Sequence, residues 1–163
     1  MATCANPKYV GRDVAIEYFI GCGDVQPDSG DYIPIGAFTS KDQTIQWDEA
    51  DPTADDTVGN LKETIATYLN YSISGDLVAR RADVVGITNQ IALIKHVANP
   101  VLTGGQPYAW IRLTAPDLTY ECFMLITNLS NASPTTDVAT RSFEAKAASS
   151  PFGLIITDTP VVP

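Results

Sequence analysis

The most regular hydrophobic spacing in the chain lies between Trp47 and Leu77. Ile65, Thr67, Leu69, Tyr71 and Ile73 occupy every second position, with mostly small or polar residues between them. A period of two places one set of side chains on one face, so this stretch predicts a long strand with one buried side, closed by the turn Ser74-Gly75-Asp76. The segment before it is of the opposite character. Asp48, Glu49, Asp51, Asp55 and Asp56 fall within nine residues with no base among them. Residues 47–61 show no period and predict a loop of about 15 residues, a length that compact domains keep mainly for function.

The same two-residue period recurs along the chain. Val14, Ile16, Tyr18 and Ile20 predict a first strand, ended by Gly21-Cys22-Gly23-Asp24. Ile33, Ile35 and Ala37 predict a second strand over residues 32–39, running on toward Ile45. Pro34 has no N–H for a ladder, which assigns that part to an edge or bulge. Val84, Ile87, Ile91, Ile94 and Ala98 step instead by three and four, predicting one amphipathic helix over residues 83–98. Asp83 is its expected N-cap, and Asn99-Pro100 its stop. Gly86 and the β-branched residues weaken the helix, so it must dock on a sheet to persist. Residues 108–114 and 118–127, joined by Ala115-Pro116-Asp117, predict a hairpin, followed by a polar loop over residues 128–134. Residues 138–147 and 152–157 predict two further strands. The expected fold is therefore mainly β, a β-sandwich or partly closed barrel with one flanking α-helix. Residues 14–157 form the domain, between an N-terminal arm at 1–13 and a C-terminal arm at 158–163.

Composition narrows the classes. The chain has 163 residues, 45% of them hydrophobic, which suits one packed domain. No run approaches the roughly 18 apolar residues of a membrane helix. The N-terminal residues lack a basic-then-apolar signal, so the expectation is synthesis in a cytoplasm and no membrane partner. Ten basic against 19 acidic residues give a net charge of −9, a field opposite in sign to one that holds phosphates. Such a surface is soluble, and nucleic acid can pass it without sticking.

The chain carries few groups suited to chemistry. Cys4, Cys22 and Cys122 form no C-x-x-C pair, which argues against a zinc site. Cys122 reads as a small buried hydrophobe, and a bridge between Cys4 and Cys22 stays open. His96 is the only histidine and reads as a surface or partly buried helix residue. No nucleophile elbow, zinc-protease or phosphate-loop pattern occurs. Asp51, Thr53 and Asp55 have calcium-loop spacing, but Asp56 stands where that loop needs glycine, and Glu63 lies one residue past the required final acid. Three Asn-x-Ser matches, at Asn70, Asn128 and Asn131, are chance without secretion. Arg80-Arg81 is too short for a nucleic-acid patch, and fits an anchor for the helix or for a neighbouring subunit. The expectation is a non-enzyme with no metal and no cofactor.

Three stretches carry a family resemblance. They are Gly23-Asp24 with residues 32–37 (YIPIGA), residues 47–59 (WDEADPTADDTVG) running into residues 71–76 (YSISGD), and residues 137–145 (DVATRSFEA). In order and texture they resemble the major tail tube proteins of long-tailed, siphovirus-type bacteriophages, over most of residues 13–147. The resemblance implies a sandwich with a flanking helix that forms hexameric rings. The rings stack into a tube with a continuous β-barrel as its inner wall, through which the genome leaves the capsid. It implies a virion location in the tail, made in the bacterial host cytoplasm. The partners implied are the chain itself, tape measure, tail terminator and distal tail proteins, with DNA passing through without tight binding.

On that basis the loop around Trp47, Asp48, Glu49, Asp51, Asp55, Asp56 and Leu61 is expected to contact the next ring, and Tyr68, Asn70, Ser72 and Ser74 to face the lumen. The rival is a monomeric or small-oligomer β-sandwich binding module or virion decoration protein, using aromatics such as Trp47 or Tyr108. A hydrolase using paired Asp and Glu residues has no supporting constellation.

Overall fold

The computed structural model describes residues 8–55 and 58–160 and contains one antiparallel sheet of eight strands. These are β1 (Ala15–Phe19), β2 (Ile33–Pro34), β3 (Phe38–Ala50), β4 (Ile65–Val78), β5 (Tyr108–Thr114), β6 (Leu118–Ala132), β7 (Thr140–Ala147) and β8 (Leu154–Asp158). They pair in the order β2-β1-β5-β6-β7-β4-β3, with β8 on the first half of β6. The two ends of that order, β2 and β3, are consecutive in sequence and separated only by residues 35–37. So short a link forces the sheet to curl until its edges approach. Ile35 N donates to Ile16 O (3.2 Å) and Val78 N to Ala37 O (3.1 Å), tying the link to both sides. Gly36 sits there at φ +134°, and a Cβ would lie 2.5 Å from Thr88 Oγ1, so both backbone and space require glycine. The fold is thus mainly β with one helix, and the sandwich is two wings of a single curled sheet.

β6 is the pivot. Its first half pairs with β5, and its second half with β7, with a register shift between Ile126 and Asn128. One wing is β1, β5 and early β6; the other is late β6, β7, β4 and β3. Ile16, Tyr18, Ile111 and Leu113 from the first wing meet Tyr71, Ile73, Leu77, Phe143 and Ala145 from the second in one core, with Met124 and Ile126 between them. Each fully buried side chain of this size contributes about 1.5–3 kcal/mol. Pro34 falls in β2, at the edge of the sheet.

The helix α1 (Gln90–Ala98) spans the gap between the wings. Leu93 enters the core, Tyr18 Oη donates to Asn89 O (3.0 Å), and Gln90 Nε2 donates to Val78 O (3.0 Å). His96 is buried with Nε2 2.8 Å from Tyr108 O, fixing the helix to β5. The expected helix over residues 83–98 is therefore too long at its start. Residues 84–88 form a tight turn, with Ile87 N to Val84 O at 2.9 Å and Gly86 at φ +75°; a left-handed glycine interrupts a helix. Asp83 caps from across this turn, its two oxygens accepting from Ile91 N and Ala92 N at 3.0 Å each.

Candidate functional site

The outer faces of the two wings differ in kind. Outside β1 and β5, the loop over residues 20–31 is folded down as a cover. Tyr32, Trp110 and Phe123 form a satellite core beneath it, and Trp110 Nε1 donates to Cys22 O (3.0 Å). Arg112 fastens this cover: it pairs with Glu17 (2.6 Å), donates to Ser29 O (3.0 Å) and lies 4.2 Å from the Tyr32 ring centre. Among the described residues the other wing has no such cover. Its outer face is a cross-strand array of small polar residues: Asp42 opposite Ser74, Thr44 opposite Ser72, Ser74 opposite Glu144, and Asp76 opposite Ser142. Asp76 binds the array together, accepting from Ser142 Oγ (2.7 Å) and Ser40 Oγ (3.1 Å).

Both flanks of this four-strand face are open edges. Among the described residues β3 has no strand partner beyond β4. On β6 the β5 pairing ends at Leu125, opposite Tyr108, leaving the β5 side of residues 127–132 without a strand among the described residues. An open edge is a row of free N–H and C=O groups ready to pair with another chain.

The hairpin β3–β4 then runs past the body. β4 pairs with β7 only from Ser72 to Val78; among the described residues its first half has β3 alone as a strand neighbour. Ile45, opposite the buried Tyr71, and Trp47, opposite Leu69, continue the core-facing side outward, where the body no longer covers Ile45, Trp47 and Leu69 among the described residues. Trp47 is 52% exposed and Tyr68, at the bulge, 75%. A two-stranded ribbon is marginal alone, and apolar residues along one mark an interaction surface.

The expected loop over residues 47–61 is corrected by these strands. Trp47, Asp48 and Glu49 belong to β3, and the connection runs over residues 51–64. Asn70 Nδ2 donates to Asp48 Oδ1 (2.7 Å) and Thr67 Oγ1 to Asp48 O (3.0 Å), so the acidic residues are cross-strand partners. Their polarity resembles a loop because Asp48 and Glu49 offer no apolar alternation, while the partner strand keeps Ile65, Thr67 and Leu69 at every second position. Asp51, Asp55 and Leu61 lie in the connection, and Asp56 falls outside the described residues, as does Cys4. Asp51 accepts from Thr53 N (3.0 Å) and Thr53 Oγ1 and pairs with Lys62 (3.1 Å). The Thr53 hydroxyl, then its amide and Lys62, hold that carboxyl below the usual range. These three contacts from the chain hold the carboxylate, and no cluster of three or more metal-ligating residues occurs among the described residues.

Of the four residues expected in a lumen, Ser72 and Ser74 lie in the four-strand face, whereas Asn70 and Tyr68 lie on the ribbon beyond it. The sequence reading missed Asp42, Asp76, Ser142, Glu144 and Asn128, which complete the face. Their alternation with Ile73, Leu77 and Phe143 was the available signal; the pairing that brings them together was not.

These features together define a class of protein: a curled antiparallel sheet with a helix between its wings, one bare polar face and a long projecting hairpin. By fold it resembles the major tail tube proteins. The chain superimposes on a chain of the virion of a native gene transfer agent particle, with a TM-score of 0.67 and 16% identity over 94% of this chain and 100% of the other. It matches the tail of the empty particle of that agent, described with C6 symmetry, at a TM-score of 0.65, 18% identity and the same coverage. The SPP1 tail tube gives a TM-score of 0.62 with 12% identity, over 93% of this chain and 80% of that one. At such identities the likeness is one of fold. No protein-family model and no curated protein matches the sequence.

Proposed function

We propose that this chain is the structural subunit of a tail tube, forming hexameric rings that stack into a conduit for DNA ejection. The observation that carries this reading is the four-strand polar face with an open edge on either side. Its strands alternate in direction across β6, β7, β4 and β3, all antiparallel. Because their number is even, β3 of one copy meets late β6 of the next with opposite direction. Rotation about an axis can therefore continue the antiparallel ladder and close it, leaving no edge. Six copies give roughly 24 strands about 4.8 Å apart, a bore on the order of 40 Å between backbones. Ser72 and Ser74 would line it, with Asp42, Asp76 and Glu144 giving an acidic wall that phosphate does not grip.

The hairpin supplies the axial contact, with Trp47, Asp48, Glu49, Asp51, Asp55 and Leu61 at its end, and Asn70 and Tyr68 on its ribbon. Its uncovered stripe becomes buried only against another copy. Other tail proteins would meet the terminal rings at the same surfaces.

Negative-stain electron microscopy of the purified chain tests this directly. Hollow tubes of stacked rings are expected; monodisperse compact particles would refute the proposal in favour of a small binding module. Replacing residues 50–65 with Asn-Gly, a two-residue hairpin turn, should leave a folded chain that no longer builds long tubes. Normal tubes from it would remove the hairpin from the stacking contact.

A further inference from the structure

The two ends of β4 are unlike. At the end beginning with Ile65 stand Glu49, Asp51 and Asp55, with Leu61 and Val58 at 73% and 88% exposure. At the other, two residues past Val78, stand Arg80 and Arg81 and then the turn of residues 84–88. Val85 is 97% exposed at the tip of that turn and Ile87 is 64% exposed. The turn is fixed rather than loose. Val84 N donates to Thr88 O and Thr88 N to Val84 O, each at 3.0 Å, and buried Thr88 Oγ1 anchors its base on Ile35 O (3.1 Å). A preformed turn with β-branched apolar residues in water is an anchor without a socket. Neither arginine has a carboxylate partner among the described residues, and the nearby Asp83 is committed to helix amides. β4 holds these two ends roughly 45 Å apart, at about 3.3 Å per residue.

We propose that the turn of residues 84–88, with Arg80 and Arg81 behind it, is the seat for the acidic hairpin end of a second copy of this chain. The inference rests on the tube reading and adds to it the surface that receives the hairpin. The two ends are complementary in both respects: acid faces base, and Val58 and Leu61 offer apolar cover for Val85 and Ile87. Because they lie at opposite ends of one strand, they cannot meet within a copy. Copies arranged head to tail along β4 bring them together repeatedly, which is the heterologous contact that propagates a filament. Charge pairing of this kind sets register and partner orientation more than affinity, while the buried apolar turn holds the contact.

A charge swap tests it. Arg80→Glu with Arg81→Glu, or Glu49→Arg with Asp55→Arg, should stop assembly at single rings or raise the concentration needed for tubes on the order of tenfold or more. All four substitutions together should restore tubes. Tubes from the Arg80→Glu, Arg81→Glu chain at the wild-type concentration, or no restoration by the four-fold variant, would overturn the proposal.

A cross-link provides a second readout that needs no loss of assembly. In a Cys4→Ser, Cys22→Ser background, mixed Leu61→Cys and Val85→Cys chains should give a disulfide-linked pair on oxidation that neither gives alone. Tubes without that pair would overturn the contact while leaving the tube intact. A wild-type chain that never forms tubes would overturn the tube reading, and this contact with it.

Discussion

At the scale of residues, two positions show how closely the wings are fitted. Gly75 is buried in β4 between β3 and β7, opposite Lys41 and Phe143. A Cβ there would stand 2.5 Å from the Ser40 carbonyl oxygen, a backbone atom that cannot move without opening the ladder. Gly75→Ala should therefore destabilise the chain by about 1–3 kcal/mol, as overpacking does, read as a lower denaturant midpoint. Cys122 is buried among β5 and β8 neighbours, and burial pushes its thiol from 9.0 up to about 11. The folded state thus holds that proton where the unfolded chain releases it. The stability this contributes is intact below pH 9.0 and is lost as pH rises toward 11. Tyr18 and Tyr71, raised mainly by burial, act in the same direction. Lys41, lowered by desolvation, acts against them. Denaturation midpoints should fall between pH 9 and about pH 11, and less steeply in Cys122→Ala. In thiol labelling of the folded chain at pH 8, the exposed Cys22 should react while Cys122, about one part in a thousand thiolate, stays protected.

At the scale of elements, the helix depends on a cap supplied from outside it. Its own N-cap, Asn89, makes no side-chain bond to the first turn. Asp83 serves instead, so Asp83→Ala should cost about 0.5–2 kcal/mol and raise amide exchange at Ile91 and Ala92, whereas Asn89→Ala should not raise it there. The same helix shows what a sequence can tell. The helix and its capping carboxylate are legible in the sequence, but its docking face is not: Gln90, Leu93 and His96 are buried, whereas Ile91 and Ile94 of the expected stripe are half-buried and Ala98 is exposed. Its start is not legible either, because Val84 and Ile87 keep the helical spacing while Gly86 takes a left-handed turn that only the Thr88 anchor enforces. Likewise β4 is legible from Ile65 to Ile73 by its period of two, but Ser74-Gly75-Asp76, expected as its closing turn, lie inside the strand, paired with β3 and β7. Trp47, Asp48 and Glu49 resemble a loop because they lack the alternation of apolar side chains that Ile65 and Leu69 keep on the partner strand of the same ribbon. Late β6, residues 128–132, also resembles a loop: with β7 on one side and no strand on the other among the described residues, its residues are mostly exposed. The candidate surfaces are therefore the stretches where one chain is not enough to complete the pattern.

At the scale of the whole molecule, the distribution of cover decides what the bare face can be. A face meant for a protein partner would present apolar anchors, as the hairpin and the turn at Val85 do. This one presents serines, threonine, asparagine and carboxylates, with Lys146 as a counter-charge 3.6 Å from Glu144. Such a surface gains nothing by being buried and suits water and mobile ions. In a closed ring it becomes a wall whose net sign is set by few groups per copy, each repeated around the axis and along the tube. Asp42→Lys with Glu144→Lys reverses that sign without touching the Asp76 network, the open edges or the hairpin. Tubes of this variant should form with unchanged diameter, since neither substituted side chain faces the core. They should also retain duplex DNA that wild-type tubes release, most strongly at low salt, because lysine contacts to phosphate weaken steeply as salt rises. Co-sedimentation of short duplex fragments with assembled tubes across a salt series measures this. Equal, salt-independent recovery of DNA with both kinds of tube would place the four-strand face away from the bore.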